Sequence, residues 1–252
     1  MLTTLGIVQA CFHLPRFRVN ATRKLGGRSL FEWVIRRVTE AMRLDGVVVV
    51  APESDDAEMI RRLVPNDVPV FFGRGSDALA CFTNALEHCN AEGCVRVRGD
   101  NLFIDPGTID RLVTTAHGDP DCDFAGYCSR DGQPAVFSPT NVFGEWFRTS
   151  ALRKAERLAR ETADRADVTR FIYSHPEKFR LRLIPAPTEI DRDDVRLTVD
   201  VDEDWDHALT IYDALGPELP DWRRIARLLD HQPGLRDRMA ALNRAHRQPV
   251  TV

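Results

Sequence analysis

Asp100 stands where a carboxylate could do chemistry. It lies in the run VRVRGDNLFIDP, in which Val95 and Val97 alternate with arginines at the two-residue period of a strand. Gly99 allows a sharp turn after that strand, and Pro106 marks the start of a helix. In an open α/β sheet, ligands lie beyond the carboxyl ends of the strands, and a carboxylate delivered there can hold Mg²⁺ against a phosphate. The alternative is a turn residue that caps the next helix.

The composition excludes several classes of protein. The chain has 252 residues, 43% hydrophobic and 29% charged, with a net charge of −4, which is ordinary for a globular protein. No overall basic field points to nucleic acid or to an anionic membrane. No apolar run has the length of a membrane span and no signal peptide is evident, so we expect a cytoplasmic protein. The six cysteines include no C-x-x-C pair and are expected to be reduced core thiols.

Strand and helix patterns alternate through the first half of the chain. Buried strands are predicted at Thr3–Ala10, Gly46–Ala51, Pro69–Phe72, near Val95 and from Asp123 to Tyr127. Helices are predicted at Leu30–Met42, at Ala57–Leu63, after Ser76-Asp77 and after Pro106, and a long basic loop follows the first strand. This order predicts a mostly parallel sheet with helices on both faces.

The second half of the chain is more mixed. Helices are predicted at Thr149–Thr162, Val168–Tyr173 and Asp202–Leu215, and strands at Arg180–Ile184 and Arg196–Val199. From Leu219 to His246 the pattern indicates two amphipathic helices, separated at Pro233-Gly234. We expect one domain over residues 1–252, of which residues 219–252 form a helical tail.

Six segments in this order resemble a known enzyme family. They are IVQA, LGGRSLFEWVIRR, VVVVAPESDD, FGRGSD, RVRGDNLFIDP and LTVDVDEDW. Together they resemble the cytidylyltransferases that make CMP-activated sugar acids, in particular the spore-coat polysaccharide biosynthesis F branch, which is related to the CMP-sialic acid and CMP-KDO synthetases. The resemblance implies a Rossmann-like α/β nucleotidyltransferase fold, similar to glycosyltransferase A. It also implies CMP transfer from CTP to a sugar acid or related acceptor, with Mg²⁺ and release of pyrophosphate.

The resemblance also implies roles for individual residues. Asp100 and Asp200, the latter in LTVD, match the metal ligands, whereas Asp105 is expected to cap the following helix. The positions that match the nucleotide site are Gln9, Ala10, Ala51, Ser54, Arg74, Gly75, Ser76 and Asn101. The positions expected on the acceptor side are Glu145, Asp167 and Thr169.

The chain departs from the family at the phosphate loop. Counted without gaps, Cys11 replaces the first arginine of the family pattern and Asn20 replaces its lysine. Arg16 and Arg23 retain family cations and are the expected catalytic residues, and Arg18 and Lys24 keep the loop basic. On the acceptor side, Asp167 stands in place of a histidine. Losing a cation that stabilises a transferring phosphate can cost on the order of 10³-fold in rate.

Three functions therefore remain open. The first is a CTP-dependent cytidylyltransferase, whose partners would be CTP, a sugar-acid-like acceptor and a second copy of the chain in a homodimer. The second is a catalytically impaired relative that binds a nucleotide or a CMP-sugar. The third is a sugar transferase with an NDP-sugar donor, since Asp200-Val201-Asp202 has the D-x-D form, although it lies late in the chain for that role.

Overall fold

The computed structural model describes residues 2–10, 15–54, 56–73, 77–140, 142–216 and 221–246. Its strands are β1 Leu2–Gln9, β2 Lys24–Leu25, β3 Arg28–Ser29, β4 Gly46–Pro52, β5 Val70–Gly73, β6 Ala91–Arg98, β7 Phe124–Cys128, β8 Glu145–Arg148 and β9 Leu181–Pro185. Its α-helices are α1 Pro15–Thr22, α2 Leu30–Thr39, α3 Ala57–Leu63, α4 Ala78–Cys89, α5 Pro106–His117, α6 Thr149–Leu158, α7 Thr162–Ala166, α8 Arg170–Tyr173, α9 Asp202–Leu215, α10 Trp222–Asp230 and α11 Pro233–Ala245.

Seven strands form one sheet in the order β5-β4-β1-β6-β8-β7-β9. Only β8 runs antiparallel to its two neighbours in this sheet, so the predicted, mostly parallel arrangement is confirmed. The chain passes from β1 to β4 on one side and later to β6 on the other side. The carboxyl ends of β1 and β6 therefore flank the point at which the strand order reverses, where open α/β sheets bind ligands.

Apolar side chains cover both faces of the sheet because alternate residues of each strand point in opposite directions. Leu5 and Ile7 of β1 pack on the face covered by α4 and α6, whereas Val8 belongs to the core on the opposite face. That opposite core also contains residues from α2, α5, α9, α10 and α11. The C-terminal helices are thus part of the main core.

Two predictions about local structure are wrong, and one strand was missed. Part of the expected loop after the first strand is helix α1, which begins at Pro15, and the β2–β3 hairpin follows it. The segment Arg196–Val199 is not a strand, because the N–H groups of Leu197 and Thr198 both donate to the single carbonyl of Pro139 instead of a ladder. Residues 145–148 form a central strand, β8, that was not predicted; four residues are too short to show a clear period.

Among the helices of the described residues, none combines the length and the apolar character that crossing a membrane requires.

Candidate active site at the ends of β1 and β6

A cavity of about 310 Å³ lies beside the carboxyl ends of β1 and β4. Four of the residues expected to bind the nucleotide line it: Gln9, Ala10, Ala51 and Ser54. Helix α4 closes the other side with Asp77, Ala78, Cys81 and Phe82. The volume is at the lower end of the range for small-molecule pockets, roughly 300–1,000 Å³. The structure therefore brings these four predicted residues together in a space that suits part of a nucleotide.

Asp100 follows the strand next to this cavity. Gln9 of β1 is in register with Arg98 of β6, and the Gly99 N–H donates to the Gln9 carbonyl at 2.9 Å. A Cβ atom at Gly99 would lie 2.6–2.8 Å from atoms of its neighbours, so only glycine fits this close approach. The Asp100 carboxylate accepts two hydrogen bonds from the Arg98 guanidinium, at 3.0 Å to Oδ1 and 2.6 Å to Oδ2.

Asp200 lies on the irregular segment that leads into α9. Its carboxylate accepts from the Thr198 hydroxyl at 3.0 Å, lies 3.6 Å from Arg196, and is 45% exposed. Asp204, in the first turn of α9, is buried and has a structural role. It binds Arg196 through both carboxylate oxygens and accepts the backbone N–H groups of Asp200 and Val201. These contacts hold the Asp200 turn at the start of the helix.

Helix α1 contacts the turns that carry both carboxylates. The Phe17 ring lies against Gly99, directly before Asp100. One helical turn further on, the buried Asn20 amide donates to the Val199 carbonyl at 2.7 Å, directly before Asp200. Residues three apart lie on one side of a helix. The residues directly before the two predicted metal ligands are therefore both in contact with the same face of α1.

The cations retained from the family pattern lie on α1 or just after it. Arg23 donates to Asp202 at 2.5 Å and lies over the Trp205 ring at 5.2 Å. Arg18 pairs with Asp56 at 3.1 Å, whereas Arg16 is exposed at the start of the helix. Arg23 is thus held against α9 through Nη2, whereas its buried Nη1 has no hydrogen-bond partner among the described residues.

A buried ionic network lies under the predicted acceptor side. Arg96 of β6 donates to Gln9 at 2.7 Å and to Glu145 of β8 at 2.7 Å. Burial raises the pKa of Glu145 to about 6, although the positive charge of Arg96 opposes that shift. Glu145 is 2% exposed, so in this conformation it binds Arg96 inside the protein and does not reach the cavity surface.

Asp167 and Thr169 join the same network. The Asp167 carboxylate accepts the N–H and the hydroxyl of Thr169 at 2.9 and 3.0 Å, and Arg96 lies 3.4 Å from the Thr169 hydroxyl. Burial opposes ionisation of Asp167, but the charge of Arg96 and the N–H donors together hold the pKa of this carboxyl below its ordinary value. All three predicted acceptor residues are therefore brought together, and in this conformation they bind one another.

Asn101 is the one remaining predicted nucleotide residue that the structure describes, and it is not among the described residues that line the cavity. Asn101 is buried and its amide donates to the Phe143 carbonyl at 3.0 Å, so it fastens the turn after Asp100. Arg74, Gly75 and Ser76 lie outside the described residues. Sequence reasoning gave no role to Arg96 or Arg98, although their alternation with valines places both on one sheet face. It also missed the bond between Arg165 of α7 and Asp77, which joins the acceptor segment to the cavity wall.

The carboxylates fit a Mg²⁺ that is shared with a phosphate. Within the described part of the chain, no three His, Cys, Asp or Glu side chains form a group that could hold a metal by themselves. Mg²⁺ is, however, commonly bound by one or two carboxylates, with substrate phosphates and water completing its shell. Asp100 and Asp200 are hard oxygen donors of that kind, and both follow segments held against α1.

Comparison with known proteins agrees with the fold described above. The spore coat polysaccharide biosynthesis protein SpsF of Bacillus subtilis is 26% identical over 223 residues, which cover 86% of this chain and 89% of SpsF. A cytidylyltransferase structure from Leptospira borgpetersenii superposes with a TM-score of 0.79 at 20% identity, covering 92% of this chain and 95% of that one. A structure of CMP:2-keto-3-deoxy-manno-octonic acid synthetase complexed with CTP superposes with a TM-score of 0.60 at 11% identity, covering 84% and 98%.

These similarities confirm the nucleotidyltransferase fold and the resemblance to the cytidylyltransferases that the motifs predicted. Residues 20–168 match the family described as the MobA-like NTP transferase domain, which spans more than half of the sequence. The chain therefore belongs to the MobA-like NTP transferase domain family.

Proposed function

We propose that the protein transfers CMP from CTP to a sugar acid or a related acceptor and releases pyrophosphate. One observation carries this proposal. Four residues predicted to contact the nucleotide line one cavity, and Gln9 of that cavity is hydrogen-bonded to the turn that carries Asp100. A nucleotide with its base and ribose in the cavity would therefore place its phosphates toward a carboxylate suited to Mg²⁺.

The reaction needs an acceptor oxygen to attack the α-phosphorus while the bond to the bridging oxygen breaks and pyrophosphate leaves. Asp100 and Asp200 would hold the Mg²⁺, which when bound neutralises charge on the phosphate oxygens. Gln9 and the small residues Ala10 and Ala51 let the nucleotide approach the strand ends. Arg16 and Arg23 are the proposed cations for the leaving pyrophosphate, and Arg23 has a guanidinium nitrogen, Nη1, that is not bonded to Asp202.

The acceptor site is proposed beside the Arg96 network. Glu145, Asp167 and Thr169 hold Arg96 between the sheet and α8, and Asp77 connects the segment around α7 to the nucleotide cavity. A cation held by this network suits an acceptor that carries a carboxylate, such as a sugar acid. We also propose that the protein acts as a homodimer, which sedimentation equilibrium of the purified protein tests.

Pyrophosphate release tests the proposal. The purified protein is mixed with CTP, Mg²⁺ and a panel of sugar acids, and ATP, GTP and UTP serve as competing nucleotides. We expect turnover with CTP and at least one acid, and Asp100→Asn should lower it about 100-fold or more because a metal ligand is lost. Asp131→Asn, which removes an exposed carboxylate, is the matched control. Absence of turnover with every acid, although CTP binds, would refute the proposed reaction.

A second candidate is a relative that binds CTP or a CMP-sugar without turnover. It is favoured by Asn20, which is buried against Val199 at the place of the family lysine, and by the pairing of Arg23 with Asp202. Thermal unfolding separates the two functions. CTP at 100 times its Kd should stabilise the folded state by about 2.7 kcal/mol in either case, whereas pyrophosphate appears only for the enzyme.

A further inference from the structure

The carboxylate proposed to hold the metal is already bound by an arginine from the same turn. Arg98 Nε lies 3.0 Å from Oδ1 of Asp100, and Nη2 lies 2.6 Å from Oδ2, so both oxygens accept from one guanidinium. The Asn101 N–H donates to the Arg98 carbonyl at 3.1 Å, which closes a tight turn around the pair. A metal that binds Asp100 therefore has to share or displace this guanidinium.

A comparison within β6 shows how exchangeable this pair is. Arg96 and Arg98 are two residues apart on a strand and share one sheet face. The side chains of the inner pair, Arg96 and Glu145, are 11% and 3% exposed, and further bonds to Gln9 and Thr169 hold Arg96 in place. In the outer pair the Arg98 side chain is 43% exposed. The Asp100 side chain is 13% exposed, so the pair is open to solvent on the arginine side, where phosphate oxygens can compete for Arg98.

We propose that Arg98 occupies Asp100 until a metal-bound triphosphate arrives and then binds the phosphate oxygens itself. This exchange rests on the proposed function for its metal site. The exchange makes Arg98 available as a cation at the end of β6. In the expected phosphate loop, Asn20 binds the Val199 carbonyl and Arg23 pairs with Asp202. A guanidinium suits this exchange because its planar fork binds carboxylate and phosphate in the same bidentate way.

The exchange predicts opposite effects of one substitution on two ligands. Replacing Arg98 by glutamine frees both oxygens of Asp100 and removes a positive charge that repels a divalent cation. Metal affinity in the absence of nucleotide should therefore rise, by about fivefold or more. Affinity for a triphosphate group should fall by about tenfold, because a charge-assisted contact is lost. A residue that merely stabilised the turn would not raise metal affinity when removed.

Mn²⁺ titration followed by electron paramagnetic resonance measures the first effect. We expect tighter Mn²⁺ binding by Arg98→Gln than by the wild type, an intermediate value for Arg98→Lys, and loss of the gain in the double variant Arg98→Gln/Asp100→Asn. Arg153→Gln is the matched control, since Arg153 pairs with Glu87 at 2.9 Å and is 47% exposed. Unchanged, weaker or undetectable Mn²⁺ binding by Arg98→Gln overturns the proposal.

Calorimetry with Mg²⁺ and inorganic tripolyphosphate measures the second effect without relying on any nucleobase. The exchange is supported if Arg98→Gln binds tripolyphosphate more weakly than the wild type, while Arg153→Gln binds it as tightly as the wild type. Equal binding by all three, or no binding by the wild type, overturns it. If both binding effects are observed but the wild type does not turn over CTP, the proposed function is refuted while the exchange is supported. Circular dichroism of each variant confirms that it folds.

Discussion

At the residue scale, the charges of the site are fixed to different degrees by what surrounds them. Glu145 is buried and the Arg96 side chain is 11% exposed, and each has further partners or covering side chains, so this pair is largely shielded from solvent. Arg98 and Asp100 meet at the rim, and Asp200 is nearly half exposed. Arg98 and Asp200, which are proposed to meet phosphate and metal, are thus more exposed than the Arg96–Glu145 pair, which joins β6 to β8 beneath them.

The buried Glu145 predicts a pH dependence of stability. Burial raises its pKa from the ordinary 4.5 to about 6, so the folded state holds this proton more tightly than the unfolded chain does. Ionisation of Glu145 therefore lowers the free energy of unfolding. This effect is absent below about pH 4.5, grows between about pH 4.5 and 6, and is complete above about pH 6. The free energy of unfolding of the wild type, minus that of Glu145→Gln, should fall by about 2 kcal/mol across this window.

Urea unfolding between about pH 4 and 8 measures that difference. Glu92→Gln, which changes an exposed carboxyl on the same strand, is the matched control. A Glu145→Gln difference that does not vary through the window would contradict the prediction.

Asp105 caps two helices with one carboxylate. Its Oδ1 accepts the Thr108 N–H at 3.1 Å at the start of α5, and its Oδ2 accepts the Trp222 N–H at 3.0 Å at the start of α10. Asp105→Ala should lower the free energy of unfolding by about 2–3 kcal/mol, since two buried donors lose their acceptor. Asp221→Ala removes the single bond from Asp221 to Arg224 and should cost about 1 kcal/mol. Equal losses in urea unfolding would show that the second cap contributes nothing.

At the scale of elements, the short helix α1 links segments that are far apart in the sequence. Phe17 packs against the turn before Asp100, and Asn20 binds the carbonyl before Asp200, 179 residues away. Arg18 adds a contact to the turn that precedes α3. Helix α1 lies in the segment expected to be a phosphate loop, and it connects the turns that carry Asp100 and Asp200.

Asn20→Ala should loosen the Asp200 turn and weaken metal binding. Loss of the bond to Val199 leaves a carbonyl without its partner, which should cost about 1–3 kcal/mol in the free energy of unfolding. Mn²⁺ affinity should fall as well, because one ligand of the site is no longer held. Val19→Ala, an exposed change on the same helix, is the control for both measurements. Unaltered Mn²⁺ affinity in Asn20→Ala would show that α1 does not position Asp200.

At the scale of the whole molecule, the C-terminal helices complete the core that lies behind the site. Trp222 and Ile225 of α10 and Leu235 and Met239 of α11 are buried in the same cluster as residues of α2 and α5. This shared core supports the proposal that residues 1–252 form one domain.

Met239→Ala should therefore destabilise the whole fold and not only the tail. Met239 is fully buried, and removing such a side chain typically costs about 2–5 kcal/mol. Asp237→Ala, at an exposed position of the same helix, should be close to neutral. Urea unfolding followed both by tryptophan fluorescence and by circular dichroism should give one coincident transition for each protein. A separate early transition in Met239→Ala would indicate that the tail unfolds independently.

The sequence by itself determined the parts of the fold that depend on neighbouring residues. The apolar run GVVVVA indicates a strand covered on both faces, and β4 is such a strand. The start of α5 is correctly predicted by Asp105 and Pro106. The start of α4 is correctly predicted by Asp77, which precedes residues with an apolar helical period. The motifs predicted the nucleotidyltransferase fold and four residues that share one cavity. These features are readable because propensity, capping and hydrophobic period act within a few residues.

Only the tertiary structure decided how the charged groups are used. The segment Arg196–Val199 has a strand-like sequence, but two of its N–H groups donate to the Pro139 carbonyl and not to a neighbouring strand. Arg23 is held by Asp202, Asn20 by Val199 and Arg96 by Glu145, and each pair joins residues distant in the sequence. The energy of such contacts depends on burial and geometry, which arise only after the chain has packed. The sequence therefore placed carboxylates at the strand ends, and packing decided which cations remain exchangeable there.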